Sequence, residues 1–87
     1  MKRKMYSIVK KLNKDETIAY PIIFENDDMA KLWFNTHMAT DMMMKQAPEA
    51  YALMRIGTWN SETGDITQDP NEDKKIILEG GKKSWQN

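Results

Sequence analysis

From Tyr51 to Thr67 the pattern of apolar and polar positions predicts a β-hairpin. Tyr51, Leu53 and Trp59 fall on odd positions, and Ala52, Met54, Ile56 and Thr58 on even ones. Both faces are therefore largely apolar, which suits a strand covered on both sides better than a solvated one. Asn60-Ser61-Glu62-Thr63-Gly64 supplies turn chemistry, with Gly64 free to adopt the positive φ that closes a longer loop. Asp65-Ile66-Thr67 returns as the partner strand. Gly57, inside the first strand, costs stability unless a bulge or close packing uses it. Pro48 marks where the preceding helical region stops.

Upstream, residues 5–12 form a first strand with Tyr6 and Ile8 on one face, and Asn13-Lys14-Asp15-Glu16 is a turn. Residues 17–24 form a second strand in which Ile18, Tyr20, Ile22 and Phe24 share a face by period two. Pro21 cannot donate to a ladder, so that strand is an edge or is interrupted by a bulge. Asn26 or Asp27 caps a helix over about residues 28–38, and acidic side chains suit its N-terminal dipole. Ala30, Trp33, Phe34 and His37 give the buried stripe, with Met29 and Leu32 at its flank. Residues 39–47 predict a second short helix capped by Asp41, on which three consecutive methionines cannot all face one side. After a polar break at 68–73, Lys74–Leu78 has the composition of a short extra strand.

The fold expected is a small α+β domain, an antiparallel β-sheet in the order β-β-α-β-β with one or two helices packed on one face. Residues 1–68 are expected to form the domain, with residues 1–4 a candidate flexible start, and residues 69–87 a polar, partly disordered C-terminal extension. A chain of 87 residues builds only a modest core, and three Trp, two Phe and eight Met exceed what a thin core needs. A homodimer or higher homo-oligomer is therefore expected. No cysteine is present, so disulfides are excluded. No apolar run approaches the roughly 20 residues of a membrane span. The apolar stretch after Met1-Lys2-Arg3-Lys4 is too short for a signal peptide, which predicts a soluble intracellular protein.

The formal charge is zero but uneven. Residues 1–14 carry six basic and no acidic side chains, residues 15–73 three basic and twelve acidic, and residues 74–87 four basic and one acidic. Zero net charge argues against strong indiscriminate duplex binding, which needs clustered cations. Solvated, solubilising ends are the plain reading of this distribution, and phosphate-binding ends the sharper one. Single strands are held where cations track phosphates and aromatic rings take bases. Lys2, Arg3, Lys4, Tyr6, Lys10 and Lys11 at the front, with Lys82, Lys83 and Trp85 at the back, are the candidates for that role.

Catalytic chemistry is sparse. His37 is the sole histidine and reads as a packed residue; with no cysteine, a zinc site of the His/Cys type is excluded. The glycines have the wrong spacing for a phosphate loop, and the acids from Asp65 to Asp73 lack the Gly and Glu of a calcium loop. No cofactor, no metal and no enzymatic activity are expected. Trp33, Met42, Met43 and Met44 are candidates for a pliable interaction surface, set against plain core filling.

The order of motifs resembles a known family. Tyr6-Ser7-Ile8, the Pro-containing second strand, Asn26-Asp27-Asp28-Met29-Ala30 with Phe34, Pro48-Glu49-Ala50-Tyr51-Ala52-Leu53, Gly57-Thr58-Trp59-Asn60 and Thr63-Gly64 follow in sequence. This is similar to the small nonstructural protein of the gokushoviruses, single-stranded DNA phages of the microvirus group. The likeness covers residues 5–68. Trp59-Asn60 stands where Phe-Asp is usual, and the chain from Asp69 onward has no counterpart. The resemblance implies a DNA-replication accessory protein in the cytoplasm of an infected bacterial host. It implies binding of single-stranded DNA as the phage changes from duplex replication to single-stranded genome synthesis. Phage or host replication proteins are further expected partners, and an adaptor without direct DNA contact is the alternative. No individual residue role carries over from the family.

Overall fold

The computed structural model describes residues 1–11 and 15–81. Strand β1 (Lys2–Lys11) lies at the centre, antiparallel to β4 (Tyr51–Asn60) on one side. On its other side it pairs with two short strands, β2 (Asp15–Thr17) and β3 (Ile22–Phe24). Strand β4 in turn carries β5 (Ile66–Thr67) and β6 (Lys75–Glu79) on its free edge. The product is a six-stranded antiparallel sheet with two helices, the α+β architecture expected from the sequence.

The expected second strand is interrupted. Thr17 pairs with Val9 and Ile22 with Tyr6, and between them the chain leaves the ladder around Pro21, which has no N–H to give it. Tyr20 sits on this excursion and is 91% exposed, so it does not share the buried face of Phe24 as period two had implied. The sheet continues past residue 68, because Lys75–Glu79 pairs with Arg55–Ala52. A polar connection can be followed by an apolar strand when a central strand still has an unpaired edge to satisfy.

Helix α1 (Asp27–Thr40) begins where Asn26 turns extended and its Oδ1 accepts from the Met29 amide at 2.9 Å. Its last carbonyls meet Asp41, which starts α2 (Met42–Gln46) by accepting from the amides of Met43 and Met44. Ala30 and Phe34 on α1 and Met44 on α2 close over Tyr6, Ile8, Tyr51 and Leu53 of the sheet. Phe34 and Leu53 are fully buried, each contributing about 1.5–3 kcal/mol. A 3-10 turn, Pro48–Ala50, returns the chain to β4. Gly80 passes so close to it that a Cβ would collide with the carbonyl oxygens of Pro48 and Tyr51.

Candidate functional site

The basic run at the front of the chain is strand, not tail. Lys2, Arg3 and Lys4 pair with Asn60, Trp59 and Thr58 respectively. One residue further along, β4 carries a bulge: Met5 faces Gly57 while Tyr6 faces Arg55. The extra residue shifts the parity of β4. Tyr51 and Leu53 point to the helices, in register with Lys10 and Ile8. Trp59 shares their odd numbering but pairs with Arg3 on the opposite face. The expectation that these three residues share a face is thus corrected by a one-residue slip.

The face turned away from the helices carries Met5, Val9, Ile23, Ala52, Met54, Trp59, Ile66 and Ile76 by register. Val9 and Ala52, in its middle, are buried; Ile23 and Ile66, toward its Arg3 end, are exposed. Arg3, Trp59 and Ile66 form one row across three strands. Trp59 is half-buried, and no other ring or cation stacks on it among the described residues.

The cations at this end are weakly engaged. The Arg3 Nη1 lies 3.2 Å from Glu25 Oε1, an exposed pair, and the N-terminal amine lies 3.5 Å from Glu62. Such pairs contribute about 0–1 kcal/mol and exchange readily. Lys4 reaches only the Thr58 hydroxyl at 3.5 Å, and Lys2 has no carboxylate partner among the described residues. Further along β1, Lys10 sits 5.8 Å from the centre of the Tyr51 ring, and Lys11 is engaged by Glu79 at 2.7 Å. The basic residues of β1 therefore divide into an open group, 2–4, and a pair committed to intramolecular contacts, 10–11. Lys82, Lys83 and Trp85 lie outside the described residues.

Tyr6 is corrected as a stacking residue. It is fully buried, its ring 5.9 Å from Phe24, and its hydroxyl donates to Asp27 Oδ1 at 2.6 Å. The other Asp27 oxygen accepts from Arg55 Nη2 at 2.5 Å, and Arg55 also faces Glu72. Burial, then the Asp27 carboxylate, pushes the Tyr6 hydroxyl well above its ordinary pKa. Burial alone would raise Asp27, but hydrogen bonds from Tyr6 and Arg55 and the charge of Arg55 outweigh it and hold the carboxyl below its usual range. Burial likewise opposes the Arg55 charge, and Asp27 reverses the sign. The sequence pattern assigns Asp27 to capping and gives Arg55 no role. Amphipathic spacing offers no signal for a pair 28 positions apart.

The expected methionine surface divides. Met44 is 4% exposed and belongs to the core, which corrects its assignment to an interaction surface, whereas Met42 and Met43 are 74% and 65% exposed. The cap at Asp41 fixes the rotation of α2 and so decides which methionine turns inward. Trp33 is half-buried between Phe24 and His37, with ring centres 5.7 and 4.9 Å away. It lines an open groove with Ile18, Ala19, Tyr20, Ile22 and His37. Among the described residues no group of three His, Cys, Asp or Glu side chains converges to hold a metal ion. No helix there is long and apolar enough to cross a membrane.

No curated protein and no solved structure matches the chain. A family model does match, over residues 3–82, spanning all six strands and both helices. Its description is phage ORF5 protein, and the chain belongs to that bacteriophage family.

Proposed function

We propose that this phage protein is a gokushovirus DNA-replication accessory factor. It binds single-stranded DNA, without enzymatic activity, during the change from duplex replication to single-stranded genome synthesis in the cytoplasm of the infected bacterium. The observation that carries this reading is the register of β1 on β4. It gathers Lys2, Arg3 and Lys4 at one end of the sheet, Arg3 on the face of Trp59 and Lys2 and Lys4 on the other face, where these two lysines have no carboxylate partner among the described residues. Cations and an aromatic ring on a sheet suit a flexible strand, whose phosphates and bases can be engaged separately. The acids at Glu25 and Glu62 flank this end and limit how far a stiff duplex can lie across it.

Fluorescence anisotropy with a labelled oligothymidylate at low salt tests the reading. Replacing Lys2, Arg3 and Lys4 together by Gln should weaken binding and flatten the salt dependence by about 0.7 for each phosphate no longer neutralised. Absence of binding at about 50 micromolar folded protein, roughly the weak end of specific association, refutes it. A second reading, a protein–protein adaptor of the phage replication or assembly machinery with no direct DNA contact, is favoured by one feature. Met29, Leu32, Met42 and Met43 are all exposed on the two helices. The same apolar surface supports self-association as a homodimer, which sedimentation velocity measures directly.

A further inference from the structure

We propose that Trp59 is the stacking platform for an unpaired nucleobase, with Arg3 beside it as the phosphate contact. This assignment rests on the proposed single-strand binding and adds to it the residue that distinguishes bases from backbone.

Ring by ring, the alternatives are occupied or lie away from the cations. Tyr6 and Phe34 are fully buried, and Tyr51 is buried with Lys10 over its ring. Phe24 packs between Tyr6 and Trp33, and Trp33 lies between Phe24 and His37. Tyr20 is exposed but lies on the β2–β3 excursion, outside the strand pairing that aligns the cations. Phe24 also stands opposite a cation, Lys4, but its ring is taken up by Tyr6 and Trp33; Trp59 combines partial exposure and a position opposite a cation with a ring that no other ring or cation covers among the described residues.

The surroundings fit a base. Trp59 lies between Arg3 and Ile66 across the sheet, so a planar apolar ligand meets an indole flanked by an aliphatic side chain on one side and a guanidinium on the other. Among the described residues Arg3 is held only by exposed Glu25, which an incoming phosphate can replace. Lys2 and Lys4 lie on the other face of β1, on either side of Arg3 along the strand, so this end of the sheet presents positive charge on both faces. A base-paired duplex keeps its bases stacked on one another and cannot offer one to Trp59. Stacking there is therefore a source of single-strand preference.

The test compares oligothymidylate with an abasic deoxyribose-phosphate strand of equal length, each titrated against wild type, Trp59→Leu and Trp59→Phe. Wild type should bind the base-bearing strand about 5- to 150-fold more tightly than the abasic one, the range expected for one stacked base. Trp59→Leu keeps an apolar side chain without a π-face and should lose that margin while binding the abasic strand as wild type does. Trp59→Phe should retain most of it. If Trp59→Leu binds oligothymidylate with the wild-type margin, this assignment is overturned while single-strand binding stands. If wild type binds neither strand, the proposed function falls and this assignment with it. Should Trp59→Leu fail to fold by circular dichroism, emission decides in a Trp33→Phe, Trp85→Phe background where Trp59 is the sole indole. Quenching by oligothymidylate and not by the abasic strand supports the assignment, and equal or absent quenching overturns it.

Discussion

Replacing Asp27 by Ala probes the interaction that joins the start of α1 to the centre of the sheet. The Arg55 side chain is only 15% exposed and that of Asp27 34%, so the pair lies between the surface and buried limits. Surface pairs contribute about 0–1 kcal/mol, whereas breaking a buried pair costs about 3–5 kcal/mol through the charge left behind. In Asp27→Ala, Arg55 keeps, among the described residues, only Glu72, an exposed partner at 3.5 Å, and the buried Tyr6 hydroxyl loses its acceptor. Arg55 Nε already lacks a hydrogen-bond partner, so little spare capacity remains to absorb the change. A destabilisation of about 3 kcal/mol follows. A domain of this length has roughly 4–13 kcal/mol in all. At about 4–8 °C per kcal/mol, the melting midpoint should fall by about 12–24 °C. Asp27→Asn keeps an acceptor for Tyr6 while removing the charge, and should be destabilised about half as much. Thermal melts followed by far-ultraviolet circular dichroism, with urea titrations to check that the m-value is unchanged, measure both variants. An Asp27→Ala midpoint within about 2 °C of wild type, well under the shift for 1 kcal/mol, would mean that Asp27 does not hold Arg55 and Tyr6 in the way described. The pH dependence supplies an independent check. The folded carboxyl titrates below its unfolded value of roughly 3.9, so its contribution is present above that pH and is lost as the pH falls through the depressed folded pKa. Wild type should lose stability over that acid range more steeply than Asp27→Asn.

Three further stability predictions come from local geometry. Asp41→Ala removes the acceptor for the Met43 and Met44 amides and should cost about 0.5–2 kcal/mol, read as a lower melting midpoint with Met44 less protected from oxidation. Gly64 has φ +79° with open space around it, so Gly64→Ala should cost about 1–2 kcal/mol from the left-handed backbone alone. Gly80→Ala should cost more, because its Cβ meets two backbone oxygens that cannot rotate away. Equal midpoints for the two glycine variants would contradict the close approach of Gly80 to the Pro48–Ala50 turn.

The sequence alone was sufficient wherever a short-range rule decides structure. A cap at Asn26 or Asp27, the Asp41 cap, the stripe of Ala30 and Phe34, and the positive φ of Gly64 follow from spacings within one element, and the structure gives the first cap to Asn26. Lys74–Leu78 was legible as a strand from its composition, and Gly57 as a place where backbones approach, its Cβ position lying 3.1 Å from the Thr67 oxygen. The candidate site was another matter. Alternation assigns faces only while the register is unbroken, and the bulge opposite Met5 and Tyr6 moved Trp59 from the face of Leu53 to that of Arg3. A bulge is a relation between two strands, so neither strand displays it alone. Tyr6 was legible as aromatic and near cations; its burial depended on Asp27 and Arg55 arriving from two other elements. The same holds for the basic run. Its charge was plain in the sequence, but whether it formed a solvated tail or the end of a central strand was decided when β4 paired along β1.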